Sequence, residues 1–503
     1  MNSLISMLIR YRRPVIGVLA ALLFICAAID VFTYLGVSRI RSWDESRHGV
    51  SACEMMDTGN YIVNTYNYRP DYWNVKPVFS FYNNIFGMML FGKNIFGFRF
   101  FSAVCYLVIG ALMFFLLWRE SGPPAALAGA AAFFFCPTNW AHSFRTGDPD
   151  ATLMLFCFAS FVFLWLSLRK SCLLPFAAFS LGLGFLAKSF HVGVPGLLAV
   201  IFVIAHWKRY HWRDLLLAAI AGMVPVLIWA AARYSADGLE FFRSMVKLDL
   251  LGRVSEDFQT EHAPKPWYGY FKTLNHYLIV IQLAGIAVSL VLFCSFKGTR
   301  QFFSSSGSLW KWAAFNFLFG LIAFSFCSVK LEWYIFPSLL YVAVVFGVLF
   351  QCACNWLKEE AERKRGLFFL LPPLLIIVFS FVWIGIGEGK AIRNLVRLEP
   401  QCDVLTADGN GESYRGGEFY CVDQTGQPAL PRQKHMLVIR FLDGKVVLKR
   451  VEEYMESPEE AFLLCTFSRS VKESEMSSLA EQFASEHSLH LVRVANDQAL
   501  YHK

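Results

Sequence analysis

Eleven long apolar stretches interrupt this 503-residue chain, and they constrain its fold more than any other feature. A helix needs roughly 20 mostly apolar residues to cross about 30 Å of hydrocarbon. Stretches approaching that length lie near 14–36, 98–118, 123–143, 150–168, 172–187, 190–206, 214–232, 274–296, 309–327, 333–351 and 366–387. The fifth and sixth are short and separated only by Lys188-Ser189-Phe190, so they form one broken hairpin or enter the membrane at a tilt. The sequence predicts an α-helical polytopic membrane protein with about eleven transmembrane helices.

The fraction of charged residues and the sign of the net charge both change near residue 388. Hydrophobic residues make up 56% of the whole and charged residues 17%, against about 45–50% and about 25% in soluble proteins. From residue 388 onward, 32 of 116 residues are charged and the net charge is −4, whereas the first 387 residues carry +12. We predict a transmembrane domain over 1–387 and an extracytoplasmic soluble domain over 388–503. The composition excludes a disordered, collagen-like or disulfide-stapled small protein.

The soluble tail is predicted to be a small α/β unit. Asp443-Gly444 between two apolar segments is a strong hairpin signal. The predicted elements are strands over 434–442, 445–451, 461–467 and 489–494 and a helix over 474–486. No catalytic motif stands out, so we interpret the tail as structural or acceptor-positioning. Its three cysteines, Cys402, Cys421 and Cys465, allow at most one internal disulfide.

Basic residues in the short connections predict the orientation. With a cytoplasmic N-terminus, sixteen Lys and Arg residues fall on the inner side and three, Arg145, Lys188 and Lys330, on short outer loops. The first apolar run is too long for a signal-peptide core and is interpreted as a retained anchor. Two longer outer segments cover 37–97 and 233–273, and the pattern within 78–97 predicts an amphipathic helix on the membrane surface.

The first of four polar clusters on the predicted outer face follows the first span. Asp44 and Glu45 are adjacent acids, and Arg47 lies two residues further on. A carboxylate kept ionised by a nearby cation can take a proton from a hydroxyl group, so both acids are candidate general bases. The alternative is a polar flank without a catalytic role.

The second and third clusters contain further candidate substrate-binding residues. Lys76 precedes Pro77 and the predicted surface helix, a place suited to a lipid phosphate, although a lysine that only snorkels to the interface fits as well. Asp148 and Asp150 open the fourth span, where one of them could serve as a helix cap. Arg69 and Arg145 are the other cations of these two clusters.

The fourth cluster collects single polar and aromatic residues at outer helix ends. Its members are Lys188, His262, Trp267, Tyr268, Lys330 and Tyr334. Each is a weak signal by itself, and an interfacial aromatic belt accounts for the aromatic ones equally well. The predicted topology nevertheless brings every cluster to the same face, so we expect one shared site.

In this order the motifs resemble a known family. Asp44-Glu45-x-Arg47, Lys76-Pro77, Asp148-Pro149-Asp150-Ala151, Lys188, His262 with Pro266-Trp267-Tyr268, and Lys330-Leu331-x-Trp333-Tyr334 follow one another over roughly residues 10–350. Together they are similar to the GT-C class of polyprenyl-phosphate-dependent glycosyltransferases, which includes the protein O-mannosyltransferases and the lipid A aminoarabinose transferase. The motif order and spacing carry the resemblance.

The resemblance implies a function. It makes Asp44 the catalytic base, and gives Lys76, Arg47 and further outer cations the role of holding the lipid phosphate. The reaction would move a sugar from a polyprenyl-phosphate donor to a hydroxyl or phosphate group of a lipid, glycan or protein acceptor at the extracytoplasmic face, with inversion. Val75 stands where the aminoarabinose transferases usually have an acid, Val78 where they have a second proline and His48 where a tyrosine is common. These departures do not change the implied reaction class, but they weaken the assignment of aminoarabinose as the substrate.

The remaining expectations concern cofactors, partners and location. Built-in cations can stabilise the phosphate leaving group, so no cofactor is required; a divalent metal is compatible with the residues but not demanded, and no metal ligand is assigned. No glycine-rich nucleotide motif occurs, and the expected partners are the lipid-linked donor, the acceptor and the bilayer, without nucleic acid. A bacterial inner membrane is the expected location. The alternatives are a polytopic transporter or flippase, a non-catalytic scaffold, and a ligase that uses a diphosphate-linked glycan.

Overall fold

A computed structural model describes most of the chain. The described residues are 12–37, 40, 43–136, 142–252, 266, 268–276, 309–327, 330–363, 405, 411–468, 473–495 and 497–503. His262, Trp267, most of the predicted span 274–296, the whole of 366–387 and the domain boundary predicted near 388 lie outside them.

The described residues before the tail contain thirteen α-helices. They are α1 (Arg12–Phe32), α2 (Trp43–Thr58), α3 (Phe79–Phe91), α4 (Ile95–Glu120), α5 (Pro123–Phe134), α6 (Asp150–Ser167), α7 (Leu174–Lys188), α8 (Gly193–Ala205), α9 (Trp212–Asp237), α10 (Glu240–Met245), α11 (Gly269–His276), α12 (Leu309–Ser325) and α13 (Phe336–Arg363). Within the described ranges, five stretches are long and apolar enough to cross a membrane, and three apolar helices are shorter. A polytopic helical membrane fold is therefore confirmed.

Burial distinguishes the centre of the bundle from its rim. Of an 18-residue apolar window, 83% is buried in α6 and 94% in the stretch Glu332–Asn355, but only 11% in α9. An apolar helix whose surface is mostly uncovered by protein can stay stable where lipid covers it. The central position of α6 and α13 brings the residues at their N-terminal ends together at one end of the bundle.

Two predicted span boundaries differ from the structure. Within the span predicted over 123–143, the described helix α5 ends at Phe134, and residues 137–141 lie outside the described part of the chain. The short fifth and sixth spans are separate helices, joined by the 3₁₀ turn Ser189–Val192. Ser189 adopts a positive φ of 45° at this break.

The helix predicted within 78–97 is confirmed as α3, followed by the start of α4. Its exposed face carries Phe86, Met89 and Leu90, as a helix lying on a membrane surface would. Its other face packs closely on α4, because a Cβ atom added to Gly87 would lie 2.0 Å from the backbone oxygen of Gly97.

The tail is an α/β unit, as predicted, but its first elements differ. Short strands β1 (Thr65–Tyr66) and β2 (Arg69–Pro70) belong to the N-terminal domain. The tail contains β3 (Glu418–Asp423), α14 (Gln433–Phe441), β4 (Lys445–Val447), α15 (Val451–Met455), β5 (Phe462–Thr466), α16 (Glu473–His487), β6 (His490–Ala495) and β7 (Gln498–His502). The sheet order is β4-β3-β5-β7-β6, with β3 parallel to β4 and β5 and the other pairs antiparallel.

The hairpin predicted at Asp443-Gly444 is wrong. The segment 434–442 is helix α14, so the turn joins a helix to a strand, and β3 and β7 are strands that the pattern did not predict. Asp443 has a positive φ of 54°, which explains why the turn signal was present without a hairpin. Cys421 and Cys465 are both free thiols, and Cys402 lies outside the described residues.

Candidate active site

A polar cavity opens where the N-terminal ends of α6 and α13 meet the loops around α2. It encloses about 760 Å³ including its mouth. Its polar and aromatic lining is Asp44, Arg47, His48, Trp73, Asn74, Lys76, His142, Asp148, Asp150, Lys188, His191, Asp249, Trp333 and Tyr334. Seven of the candidate catalytic and substrate-binding residues therefore meet in one cavity: Asp44, Arg47, Lys76, Asp148, Asp150, Lys188 and Tyr334.

Helix α2 supplies one wall of the cavity through its first two turns. Asp44 is exposed there, whereas His48 is buried and stacks on Phe81 with ring centroids 4.0 Å apart. Burial lowers the pKa of His48 to about 3, so this imidazole is neutral. Arg47 forms two hydrogen bonds with Asp71, at 2.8 and 2.9 Å.

The second wall is formed by Lys76 and a partner that lies 173 residues away. The ammonium group of Lys76 is 2.7 Å from both carboxylate oxygens of Asp249, and Ser189 donates a hydrogen bond of 2.6 Å to the same carboxylate. Burial alone would raise the pKa of Asp249, but Lys76 and the other donors lower it to about 2. Asp249 thus places an acid beside Lys76. The residue before Lys76 in the sequence, Val75, is apolar and cannot do so.

The third wall is the loop that enters α6. Asp150 receives two hydrogen bonds of 2.6 Å from Lys188 at the end of α7. Nδ1 of His142 lies 3.5 Å from Asp148 and 3.6 Å from Asp150. Burial would lower the pKa of His142, but the two carboxylates raise it to about 9, and burial raises the pKa of Asp148 to about 7. The loop therefore holds an imidazolium between two acids.

Aromatic side chains from the turn before α13 close the cavity. The ring of Trp333 stacks on His142 with centroids 3.8 Å apart and an interplanar angle of 7°. Tyr334 is buried, and the ammonium group of Lys188 lies 6.0 Å from the centre of its ring. These contacts fix the orientation of two of the cavity's charged groups.

The cavity combines an exposed acid with several cations that hydrogen-bonded carboxylates hold in place. Arg47, Lys76 and Lys188 each contact an acid at 2.6–2.9 Å. Such pairs fix the donor groups before a ligand arrives, and preorganised cations stabilise negative charge that develops during a reaction. The arrangement suits a proton transfer to Asp44 next to a developing anion.

Other residues named from the sequence lie away from this cavity. Glu45 is fully buried and pairs with Arg99 at 2.6 Å, while accepting a 2.9 Å hydrogen bond from the backbone of Gly147. Adjacent helical residues point about 100° apart, so only one of the two neighbouring acids faces the cavity. The structure therefore places Glu45 away from the cavity, and its expected catalytic role stays a prediction.

Four expected substrate-binding residues also lie outside the cavity lining. Arg145 donates to the carbonyl oxygens of Asp30, Val31 and Thr33 near the end of α1, at 2.7–2.9 Å. Lys330 donates to the carbonyl oxygen of Cys327 at 2.6 Å. Arg69 and Tyr268 are exposed and do not line the cavity. The last carbonyl groups of a helix lack hydrogen-bond donors within the helix, and Arg145 and Lys330 supply such donors here.

His142 and Asp249 were missed by the sequence reasoning. His142 fell inside a predicted span, and Asp249 lies in the π-helical segment Val246–Leu251, where it is the acid of an otherwise mostly apolar run. A buried charge of this kind needs a partner, which is the one signal that could have singled out Asp249. Among the described residues, no group of three or more His, Cys, Asp or Glu side chains could hold a metal ion.

Comparison with known proteins yields one family match. Residues 75–229 match the model for dolichyl-phosphate-mannose-protein mannosyltransferase, a range that contains Lys76, Asp148, Asp150 and Lys188. One similar protein is undecaprenyl phosphate-alpha-4-amino-4-deoxy-L-arabinose arabinosyl transferase 2 of Pseudomonas fluorescens Pf0-1, 27% identical over 67% of this chain and 59% of the relative. The Pseudomonas aeruginosa UCBPP-PA14 transferase is 28% identical over 70% of this chain and 63% of the relative. The chain thus spans about three fifths of the length of these relatives.

Solved structures match over nearly the whole chain. ArnT from Cupriavidus metallidurans in the apo state gives a TM-score of 0.68 at 15% identity, covering 96% of this chain and 97% of ArnT. ArnT bound to undecaprenyl phosphate gives a TM-score of 0.67, also at 15% identity. Residues 75–229 are therefore similar to this mannosyltransferase family and the chain has an ArnT-like fold, which confirms its predicted resemblance to the GT-C class of glycosyltransferases.

Proposed function

We propose that this protein is a membrane glycosyltransferase that moves a hexosyl or pentosyl unit from a polyprenyl-phosphate donor to a hydroxyl or phosphate acceptor. The observation that carries the proposal is the cavity in which Asp44 lies among Arg47, Lys76 and Lys188. The relatives named for undecaprenyl-phosphate-linked aminoarabinose transfer, and the ArnT structure with undecaprenyl phosphate, support a lipid-phosphate donor.

The reaction follows from the charges of the cavity. A hydroxyl oxygen of the acceptor attacks the anomeric carbon of the donor sugar and gives its proton to the Asp44 carboxylate. The bond between that carbon and the phosphate oxygen breaks, and the polyprenyl phosphate leaves with the electron pair. Lys76 and Arg47 stabilise the charge that develops on the leaving phosphate, and attack from the opposite side inverts the anomeric centre. A phosphate acceptor would need no base, so a dependence on Asp44 also distinguishes the two acceptor types.

The proposed location follows from the fold and the charge distribution. The multi-pass helical bundle, together with relatives from Pseudomonas, supports a bacterial inner membrane. The excess of basic residues in the predicted inner connections supports an extracytoplasmic cavity and tail, with the N-terminus in the cytoplasm. The acceptor is then a lipid A-type glycolipid, a polysaccharide or a protein in the cell envelope.

The test uses purified protein in lipid vesicles with labelled donors. Wild-type protein is incubated with a panel of polyprenyl-monophosphate sugars and the matching diphosphate-linked sugars, with a membrane extract as the source of acceptor. We expect sugar transfer from a monophosphate donor and none after Asp44→Asn. The matched control is Asp57→Asn, which changes an acid on the same helix that faces Lys93 instead of the cavity. Consumption of only the diphosphate donor would contradict the proposal, whereas normal transfer by Asp44→Asn would rule out Asp44 as the base for a hydroxyl acceptor and leave a phosphate acceptor.

A further inference from the structure

The tail contacts the helix that carries the candidate base. Helix α14 packs on α2, and Met436, Leu437 and Phe441 share an apolar cluster with Val50 and Cys53. The fit is close, since a Cβ atom added to Gly49 would lie 2.7 Å from a methyl group of Leu437. The face of α2 next to Arg47 and His48 therefore rests directly on the soluble domain.

A buried ion pair joins the same two helices. Nη2 of Arg440 lies 2.9 Å and Nε 3.0 Å from Oε1 of Glu54, and both side chains are at most 1% exposed. Arg440 also donates to the carbonyl oxygen of Gly444 and lies 4.4 Å from the ring centre of Tyr68. Glu54 in turn accepts hydrogen bonds from the Thr65 hydroxyl and the Tyr68 backbone. Buried charges with this many partners specify one relative position of the two elements.

The two buried acids of α2 fix the helix at both ends. Glu45 pairs with Arg99 of α4, and Glu54 pairs with Arg440 of the tail. Nine residues correspond to about two and a half helical turns, so the two acids point to opposite sides of α2. The transmembrane domain thus holds the N-terminal half of the helix and the tail holds its C-terminal half, which together set the rotation of α2 and the direction of Asp44.

We propose that the soluble domain acts as a brace for α2, with Arg440 as a positioning residue that aligns Asp44 through Glu54. This role rests on the proposed function for its effect on transfer, but the alignment itself is a property of the fold. Of the cations proposed to contact the phosphate, Lys76 lies before α3 and Lys188 at the end of α7. Arg47 lies on α2, but its guanidinium group is also held by Asp71, which is outside that helix. Loss of the brace should therefore reduce turnover much more than it reduces donor affinity.

The test replaces the ion pair without leaving an unpaired buried charge. In the double variant Glu54→Gln/Arg440→Met, the glutamine oxygen can still accept from Thr65 and Tyr68, and methionine fills the space of the arginine stem. Lys93→Ala is the matched control, because it removes an exposed contact between the same domains, the 2.7 Å pair with Asp443. Three quantities are measured in full-length protein: turnover, the dissociation constant for undecaprenyl phosphate, and hydrogen exchange of Trp43–Thr58.

We expect the double variant to lose at least tenfold in turnover, to bind undecaprenyl phosphate within about threefold of wild type, and to exchange faster in α2. Lys93→Ala should stay within twofold on all three measures. Unchanged turnover in the double variant, or an equal loss of turnover and phosphate affinity, overturns the brace. If wild-type protein transfers no sugar, the proposed function fails while hydrogen exchange still decides the brace: unchanged exchange in α2 overturns it, and faster exchange confined to the double variant supports it.

Discussion

Nδ1 of His142 lies 3.5 Å from a carboxylate oxygen of Asp148, in a loop that enters the central helix α6. Asp44, Glu45 and Asp150 add negative charge near Asp148, and Lys188 acts on His142 from the end of α7. With a pKa of about 7 for Asp148 and about 9 for His142, both groups are charged only between these two values. The pair therefore makes the charge of this wall sensitive to pH near neutrality.

The first prediction concerns the pH dependence of transfer. Asp148 becomes protonated as the pH falls through about 7, so we expect activity to decline on the acid side with a midpoint near that value. His142→Gln removes the cation that lowers the pKa of Asp148, and the acid limb should move upward by about one to three pH units. The pH profile of kcat/KM checks this, with His206→Gln, at the C-terminal end of α8, as control. An unshifted acid limb in His142→Gln would show that Asp148 does not control it.

The second prediction separates phosphate binding from chemistry. A hydrogen bond to a charged group contributes about 1.5–3 kcal/mol, so Lys76→Gln should weaken binding of undecaprenyl phosphate by about 10- to 150-fold. Titration of the purified variant in detergent measures this. Lys272→Gln is the control, since Lys272 is exposed on α11 and does not line the cavity. An unchanged dissociation constant in Lys76→Gln would remove Lys76 from the phosphate site.

The third prediction distinguishes the two neighbouring acids of α2. Glu45→Gln leaves Arg99 buried without its counter-charge, a change that costs about 3–5 kcal/mol. We expect this variant to unfold at a clearly lower temperature, while Asp44→Asn keeps the wild-type stability and loses transfer. Thermal unfolding and transfer measured on both variants check the contrast. A stable but inactive Glu45→Gln would instead return Glu45 to the catalytic group.

The sequence predicted which polar residues share one face better than it predicted their individual side-chain contacts. Inner-loop charge was enough to send Asp44, Lys76, Asp148 and Lys188 to one face, because topology depends on properties averaged over many residues. Which of Asp44 and Glu45 faces the cavity depends on the rotation of one helix, and no pattern in the sequence reports that rotation.

The other features that the sequence did not predict, the role of Asp249 and the helix α14, were missed for similar physical reasons. Asp249 contacts Lys76 across 173 residues, a tertiary relationship without a local signal. The apolar run within 434–442 fits a buried strand and a helix face equally well, and the packing of α14 against α2 decided for the helix. The expected roles of His262 and Trp267 fall outside the described residues and stay predictions.

The last prediction tests how the surface helix α3 is held against α4. A Cβ atom on Gly87 would lie 2.0 Å from the carbonyl oxygen of Gly97, and a backbone atom cannot move aside as a flexible side chain can. Gly87→Ala should therefore push α3 away from α4 and disturb Lys76, which lies three residues before α3. Gly196→Ala is the control: nothing lies within 4 Å of its added Cβ, and alanine favours a helix by about 1 kcal/mol over glycine. We expect Gly87→Ala to lower both the unfolding temperature and the affinity for undecaprenyl phosphate, whereas Gly196→Ala lowers neither. If Gly87→Ala matched the control in both measurements, the close packing of α3 on α4 would not be what positions Lys76.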